Sequence, residues 1–176
     1  MSKKQQILVL SLSFIKKESF SHLSFEYLAE QLNVTKTAIH YYFKAKDDLG
    51  IYICDFLMKE LKDQYKEYER KNNINPFVFF NHRLSVIGDN EVCPITSLQT
   101  EINEYSDTLK EKVLQLVKLE YDIYKRVISG KVGKEKGAYY TQVYVSLLKG
   151  SLFYQRTVCK KFKPTALAYL NENLSQ

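Results

Sequence analysis

The sequence predicts an all-helical protein, on three observations. Only 6 Gly and 3 Pro occur in 176 residues, so strand-bounding turn signals are scarce. Apolar residues recur at three- and four-residue spacing far more often than they alternate, which is the period of a helix face. Apolar residues make up 45% and charged residues 26%, an ordinary globular balance that argues against disorder.

The elements follow in order. A first helix is expected over Lys3–Lys17, with Ile7, Leu8, Leu12 and Ile15 on one stripe. Ser24 is a good N-cap for a short second helix, Glu26 suits its positive end, and Phe25, Leu28, Ala29 and Leu32 fall at i, i+3, i+4 and i+7. Asn33 interrupts it, because Asn tolerates the left-handed conformation almost as well as Gly, and Thr35 caps the next helix two residues on. That third helix spans Lys36 to Phe43 and places Ile39 and Phe43 on one side, with Lys36, Thr37, His40 and Tyr41 elsewhere. A fourth begins near Lys46, with Asp47 and Asp48 at its positive end, and continues through Leu49, Ile53, Phe56, Leu57 and Leu61 toward Lys71.

Asn72-Asn73-Ile74-Asn75-Pro76 reads as a break, with Pro76 in the first turn of a helix carrying Phe77 to Phe80. Gly88-Asp89-Asn90 is a second break, and another helix is expected after Cys93-Pro94. A long helix from Ser106 carries Leu109, Val113, Leu116, Val117, Tyr121, Tyr124 and Ile128, and Ser129-Gly130 is expected to stop it. The last long helix is placed at Ala138 to Val158 and a short one at Pro164 to Asn173. There is no internal repeat and no low-complexity segment.

Several function classes are disfavoured. The lysines ahead of the run Ile7–Ile15 imitate a signal peptide, but Lys16-Lys17-Glu18 interrupts the run and no small-residue cleavage site follows. Nothing approaches the roughly 20 apolar residues of a membrane span, so a cytoplasmic protein is expected. Cys54, Cys93 and Cys159 are odd in number and widely spaced, which suggests free thiols rather than disulfides or a metal site. Cys93 reads as a small buried hydrophobe, with redox sensing as the alternative. His22, His40 and His82 are the only histidines, and no GxSxG, HExxH or glycine-rich phosphate loop occurs. No catalytic residue, metal or cofactor is therefore expected.

The charge is more pointed. The net charge of +6 permits a polyanionic partner without demanding one. The first 49 residues hold seven lysines against five acids, whereas Thr35–Lys46 alone carries +3, and such clustering is what a phosphate backbone feels. Two short helices joined by a tight turn, the second carrying exposed cation, hydroxyl and aromatic groups, form the pattern of a helix-turn-helix. Many helical hairpins share that spacing and do nothing with nucleic acid.

The residues add to the spacing. From Ile7 to Leu49, about a quarter of the chain, the sequence resembles the N-terminal domain of the TetR family of bacterial transcriptional repressors. The resemblance rests on Ile7-Leu8, Phe20, Leu28-Ala29 and the run Asn33-Val34-Thr35-Lys36-Thr37-Ala38-Ile39-His40-Tyr41-Tyr42-Phe43-Lys44-Ala45-Lys46-Asp47-Asp48-Leu49. It departs at Asn33 for the turn glycine, Ser19 for the glycine after the first helix, Ala45 for a capping serine, and His40 for the tyrosine most members set against DNA.

The resemblance implies an all-α fold of about nine helices. Residues 1–45 would form a three-helix DNA-binding domain with a helix-turn-helix, and residues 46–176 a larger helical domain for ligand binding and dimerisation. Lys36 and Thr37, near the start of the third helix, would reach base edges in the major groove. Thr35, Tyr41, Tyr42 and Lys46 would contact phosphates, and His40 would do either. Packing is the alternative for the two tyrosines, and a solvated charge for Lys36 and Lys46.

In the larger region, Cys93-Pro94-Ile95-Thr96-Ser97-Leu98-Gln99-Thr100-Glu101 resembles a run at the start of the sixth helix of some members. Phe80, Tyr105, Tyr121, Tyr124 and Tyr144 are candidates for a pocket suited to a planar or greasy effector, with ordinary core as the alternative. Val143, Leu147, Gly150, Ser151 and Tyr154, with Leu167 and Leu170, are the candidates for a homodimer face. The implied partners are a double-stranded DNA operator, a second copy of the chain and a small hydrophobic or aromatic effector. The rival is a dimeric helical interaction protein whose helix-turn-helix no longer binds DNA.

Overall fold

A computed structural model describes residues 1–72, 75–158 and 160–174 of the chain. Among these residues there are nine α-helices and no strand. They are α1 (Lys3–Lys17), α2 (Phe25–Gln31), α3 (Lys36–Tyr42), α4 (Lys46–Arg70), α5 (Pro76–Ser85), α6 (Pro94–Thr100), α7 (Asp107–Val132), α8 (Lys134–Thr157) and α9 (Phe162–Leu174), with a 3-10 turn at Ile102–Glu104 between α6 and α7. The all-helical expectation holds. No described helix is long and apolar enough to cross a membrane. Asn73, Ile74 and Cys159 lie outside the described residues, and with them part of the expected break and one of the expected free thiols.

Helix starts follow their caps. Ser2 accepts from the Gln5 N–H while the Gln5 side chain accepts from the Ser2 N–H, a complete capping box on α1. Ser24, Thr35 and Asn75 cap α2, α3 and α5 through their side-chain oxygens. At α4 the position of a capping hydroxyl is held by Ala45, and only the reciprocal half survives: Asp48 Oδ2 accepts from the Ala45 N–H at 2.9 Å.

The chain divides into two compact units that interleave along the sequence, residues 1–57 with 94–117, and residues 58–93 with 118–176. In the first unit α1 packs on α2 and α6, and α2 on α3. Its core holds Ile7, Ile15, Phe20, Leu28, Ile39, Phe43, Leu49, Ile53, Ile95 and Leu109. Leu12, expected on the α1 stripe, is half-buried, and Ser11 is buried in its stead. A serine is tolerated there because its hydroxyl donates to the Ile7 carbonyl one turn back at 2.8 Å. Cys54 is fully buried, and burial pushes its thiol up to about 12.

In the second unit α8 and α5 both pack on α9. Phe79, Phe80, Tyr124, Ile128, Tyr144, Leu148, Leu152 and Leu170 fill its core. The expected stop at Ser129-Gly130 is corrected here: α7 runs on to Val132 and the break falls at Gly133, whose φ of 83° suits glycine. The helical hairpin needs close approach just beyond. A Cβ on Gly137 would come within 2.9 Å of Ser129 Cβ and 3.2 Å of Ser129 Cα. α8 accordingly begins at Lys134, before the expected Ala138, and α9 begins at Phe162 with Pro164 inside its first turn.

Candidate nucleic-acid interface

The turn between α2 and α3 is a Schellman motif built on asparagine. Asn33 has φ 49°, its N–H donates to Glu30 O at 3.1 Å, and the next N–H, of Val34, donates to Ala29 O at 2.9 Å. Two carbonyls at the end of α2 are thereby satisfied, and the chain is redirected within three residues into the Thr35 cap. Thr35 Oγ1 accepts from the Ala38 N–H at 3.2 Å. α3 is then fixed from one side, since Ile39 and Phe43 are buried while Thr35, Lys36, Thr37, Tyr41 and Tyr42 are exposed.

The polar side is prepared to different degrees. Lys36 pairs with the exposed Glu26 carboxylate, and this hydrogen bond holds Glu26 below the usual carboxylate range. Such a surface pair is weak and yields readily to a better anion. Thr37 is exposed in the first turn. Tyr41 is 76% exposed and Tyr42 36%, their rings edge-to-face at 5.2 Å, so Tyr41 in particular is not a packing residue.

His40 is half-buried, edge-to-face on Phe25 at 4.9 Å, with Nδ1 3.3 Å from the Lys44 carbonyl oxygen. That distance is a hydrogen bond when Nδ1 carries the proton, which leaves Nε2 of the neutral ring as an acceptor.

Lys46 is engaged inside the unit. Its ammonium donates to Ser21 O at 2.6 Å and lies 5.1 Å from the Phe20 ring centroid. Burial pushes its pKa down against the opposing charges of Glu101, Asp47 and Glu104. Ser21 in turn donates its N–H to Glu101 Oε2 at 3.1 Å and its hydroxyl to Glu104 Oε2 at 2.9 Å. The exposed cation closing this stretch is Lys44, which sequence reasoning passed over because the family pattern marks the lysine two residues later.

The other candidate residues scatter. Of the five proposed for an effector pocket, Phe80 and Tyr124 meet edge-to-face at 4.9 Å beside one small cavity. Tyr105 lies in the first unit, its ring on Phe20 at 5.8 Å and its hydroxyl donating to Glu101. Tyr144 is buried against Tyr140, and Tyr121 is half-buried and does not line that cavity. That cavity has room for about 10 Å³, one water's worth.

Of the dimer candidates, Val143 and Tyr154 are exposed and Leu147, Gly150 and Leu167 half-buried. Leu170 is buried within the chain, and Ser151, also little exposed, donates its hydroxyl to Leu148 O at 2.7 Å and lines the groove between α8 and α9. Between α8 and α9 runs an apolar groove of about 420 Å³ lined by Leu147, Gly150, Tyr154, Phe162 and Tyr169 among others.

Matched as a whole, the chain is similar to a TetR transcriptional regulator from Legionella pneumophila, with TM-score 0.88, 17% identity, and 99% of this chain and 98% of that one covered. The fold is that of the TetR regulators. A TetR-family regulator from Agrobacterium tumefaciens matches at TM-score 0.84 and 16% identity over 98% and 97% of the two chains. A regulatory protein TetR from Rhodobacter sphaeroides matches at 0.76 and 10% over 97% and 95%. The sequence matches no family model and no curated protein. In TetR-fold terms the helix-turn-helix is α2–α3, and its glycine turn is replaced by the Asn33 cap described above.

Proposed function

We propose that this chain is a TetR-like transcriptional regulator, a repressor that holds a palindromic operator as a homodimer and leaves it when a small effector binds. The observation that carries the reading is α3 itself: it is anchored by Ile39 and Phe43, and as the second helix of a helix-turn-helix it turns Lys36, Thr37 and Tyr41 to solvent. Lys36 and Thr37 supply donors for base edges, and Thr35, Tyr41 and Tyr42 supply phosphate contacts. Two copies are required because one seven-residue helix makes too few base contacts for useful specificity, whereas a two-fold pair reads half-sites a helical turn apart.

The proposed division of labour is residues 1–45 for DNA and residues 46–176 for effector and assembly. The apolar groove and the exposed Val143, Tyr154, Phe162 and Tyr169 on α8 and α9 support that assembly face. The effector acts by binding the DNA-incompetent arrangement more tightly, since equal affinity for both would shift nothing.

A second reading has its own observation. Lys46 is held by Ser21, and the His40 ring is half-buried against Phe25 with Nδ1 on the Lys44 carbonyl, which suits an interaction protein that has given up DNA. Gel-shift titration against the DNA flanking its own gene separates the two. Repressor function predicts salt-dependent binding, lost sequence preference in Lys36→Ala and uniform weakening in Lys44→Ala. No binding at low salt removes the DNA reading.

A further inference from the structure

The second unit buries a group of charges that neither the helix-turn-helix nor the dimer face uses. Glu120 on α7 sits at its centre, with a side chain only 5% exposed. One oxygen, Oε1, receives the Lys149 ammonium at 2.8 Å and the Tyr124 hydroxyl at 3.0 Å, with Arg83 Nη2 at 3.6 Å. Lys149 also points at Cys93 Sγ, 3.2 Å away, and Arg83 Nη1 donates to Gln64 at 3.0 Å. The Lys149 and Arg83 side chains are 16% and 12% exposed.

Two features of this cluster are incomplete. Arg83 and Lys149 bring two positive charges against the single carboxylate of Glu120, and a surplus buried charge is unfavourable unless something neutralises it. Independently, Arg83 Nε is buried with no hydrogen-bond partner. A buried donor left unmade is uncommon and asks for an explanation. Both point to one place, because Arg83, Lys149 and Cys93 line the same cavity, whose remaining wall is Tyr124 and the apolar Phe80, Leu84, Ile87, Leu148 and Leu152.

We propose that this cavity is an anion site, taking the carboxylate of a small organic acid between Arg83 and Lys149 with its short apolar body against Phe80, Leu148 and Leu152. A neutral greasy ligand would leave both the surplus charge and the Arg83 donor as they are, and a cationic one would add to the surplus. A carboxylate satisfies both through charge-assisted bonds, the strong kind at a guanidinium. The cavity in its present form holds about one water, so the acid enters only by pushing α5 and α8 side chains aside. Binding is thereby tied to a change in this unit. As an effector assignment this rests on the regulator reading above; as a binding site it does not.

The test uses the full chain and two matched series, acetate, propionate and butyrate against acetamide, propionamide and butyramide, at constant ionic strength. Thermal unfolding and titration calorimetry should show carboxylates raising the melting temperature with concentration while the amides do nothing. Cys93→Asp supplies a second carboxylate from within. It should fold, melt at or above wild type and bind the acids at least about tenfold more weakly.

Equal stabilisation by the amides or by chloride overturns the carboxylate assignment. So does an absent shift in wild type, a comparison that depends on no variant, or an undiminished response in Cys93→Asp. A gel shift run in parallel tells the two readings apart. Acid that stabilises the chain without weakening its DNA complex overturns the effector role alone, whereas failure to bind DNA at all overturns the regulator reading and leaves the thermal result standing.

Discussion

The α3 surface and the Glu120 cluster are built from similar residues, lysines beside tyrosines and a glutamate, and they are worth very different amounts to the fold. On α3 the Lys36–Glu26 pair stands in water, where its attraction is screened and neither partner is committed. Around Glu120 the same kind of contact lies in a low-dielectric interior, where each group is held by the next and removal of one strands the others. A surface meant to meet a partner keeps its charges available. An interior cluster makes them interdependent, and its unmet donor is therefore informative where an unmet donor on the surface would not be.

The largest break in this comparison is expected at Glu120. Replacing it with Ala leaves Lys149 and Arg83 buried without an anion and should lower unfolding free energy by about 3–5 kcal/mol in denaturant titration. The cluster also sets a pH limb. Burial alone would raise the Glu120 carboxyl, but Lys149 and Arg83 hold it below the usual carboxylate range. Because the folded value lies below the ordinary 4.5, the contribution is complete above that pH and is lost as pH falls through the lowered folded value. Acid unfolding of Glu120→Gln should show a correspondingly flatter limb.

Gly137→Ala comes next, at about 1–3 kcal/mol, since its Cβ would press on the Ser129 backbone in the α7–α8 hairpin. Thr35→Ala should cost about 1 kcal/mol through the lost α3 cap and weaken operator binding besides. Smallest for the fold is Lys36→Ala, which should leave the melting temperature unchanged while sequence preference in a gel shift disappears. If Lys36→Ala were as destabilising as Glu120→Ala, the contrast between surface and interior would fail.

Local structure was legible wherever a short-range rule decided it. The caps Ser24 and Thr35, the left-handed Asn33 and the anchors Ile39 and Phe43 depend on neighbours within a turn or two, and all stand where the sequence puts them. The end of α7 was misjudged because Ser129-Gly130 is a fair stop by propensity. A mid-helix glycine costs only about 1 kcal/mol, however, and packing in the hairpin outweighs it. Glu120 was missed because apolar periodicity passes over charged residues. It lies four residues after Leu116 and four before Tyr124, on the buried stripe, so a carboxylate in register with two core positions was the available signal. Its partners Arg83 and Lys149 come from α5 and α8, and no spacing rule connects residues so far apart. Tyr105 was grouped with Tyr124 on aromatic character alone, which says nothing of the unit a ring belongs to.

Around Gly150 on α8, apart from its chain neighbours and its own helix backbone, no atom of the described residues comes within 4 Å of where a Cβ would stand. A methyl group there is free of clashes in the single chain and would improve helix propensity by up to about 1 kcal/mol. The same methyl would stand in the way of another helix laid along the groove. One atom at that position thus uncouples how well a chain folds from whether two chains meet.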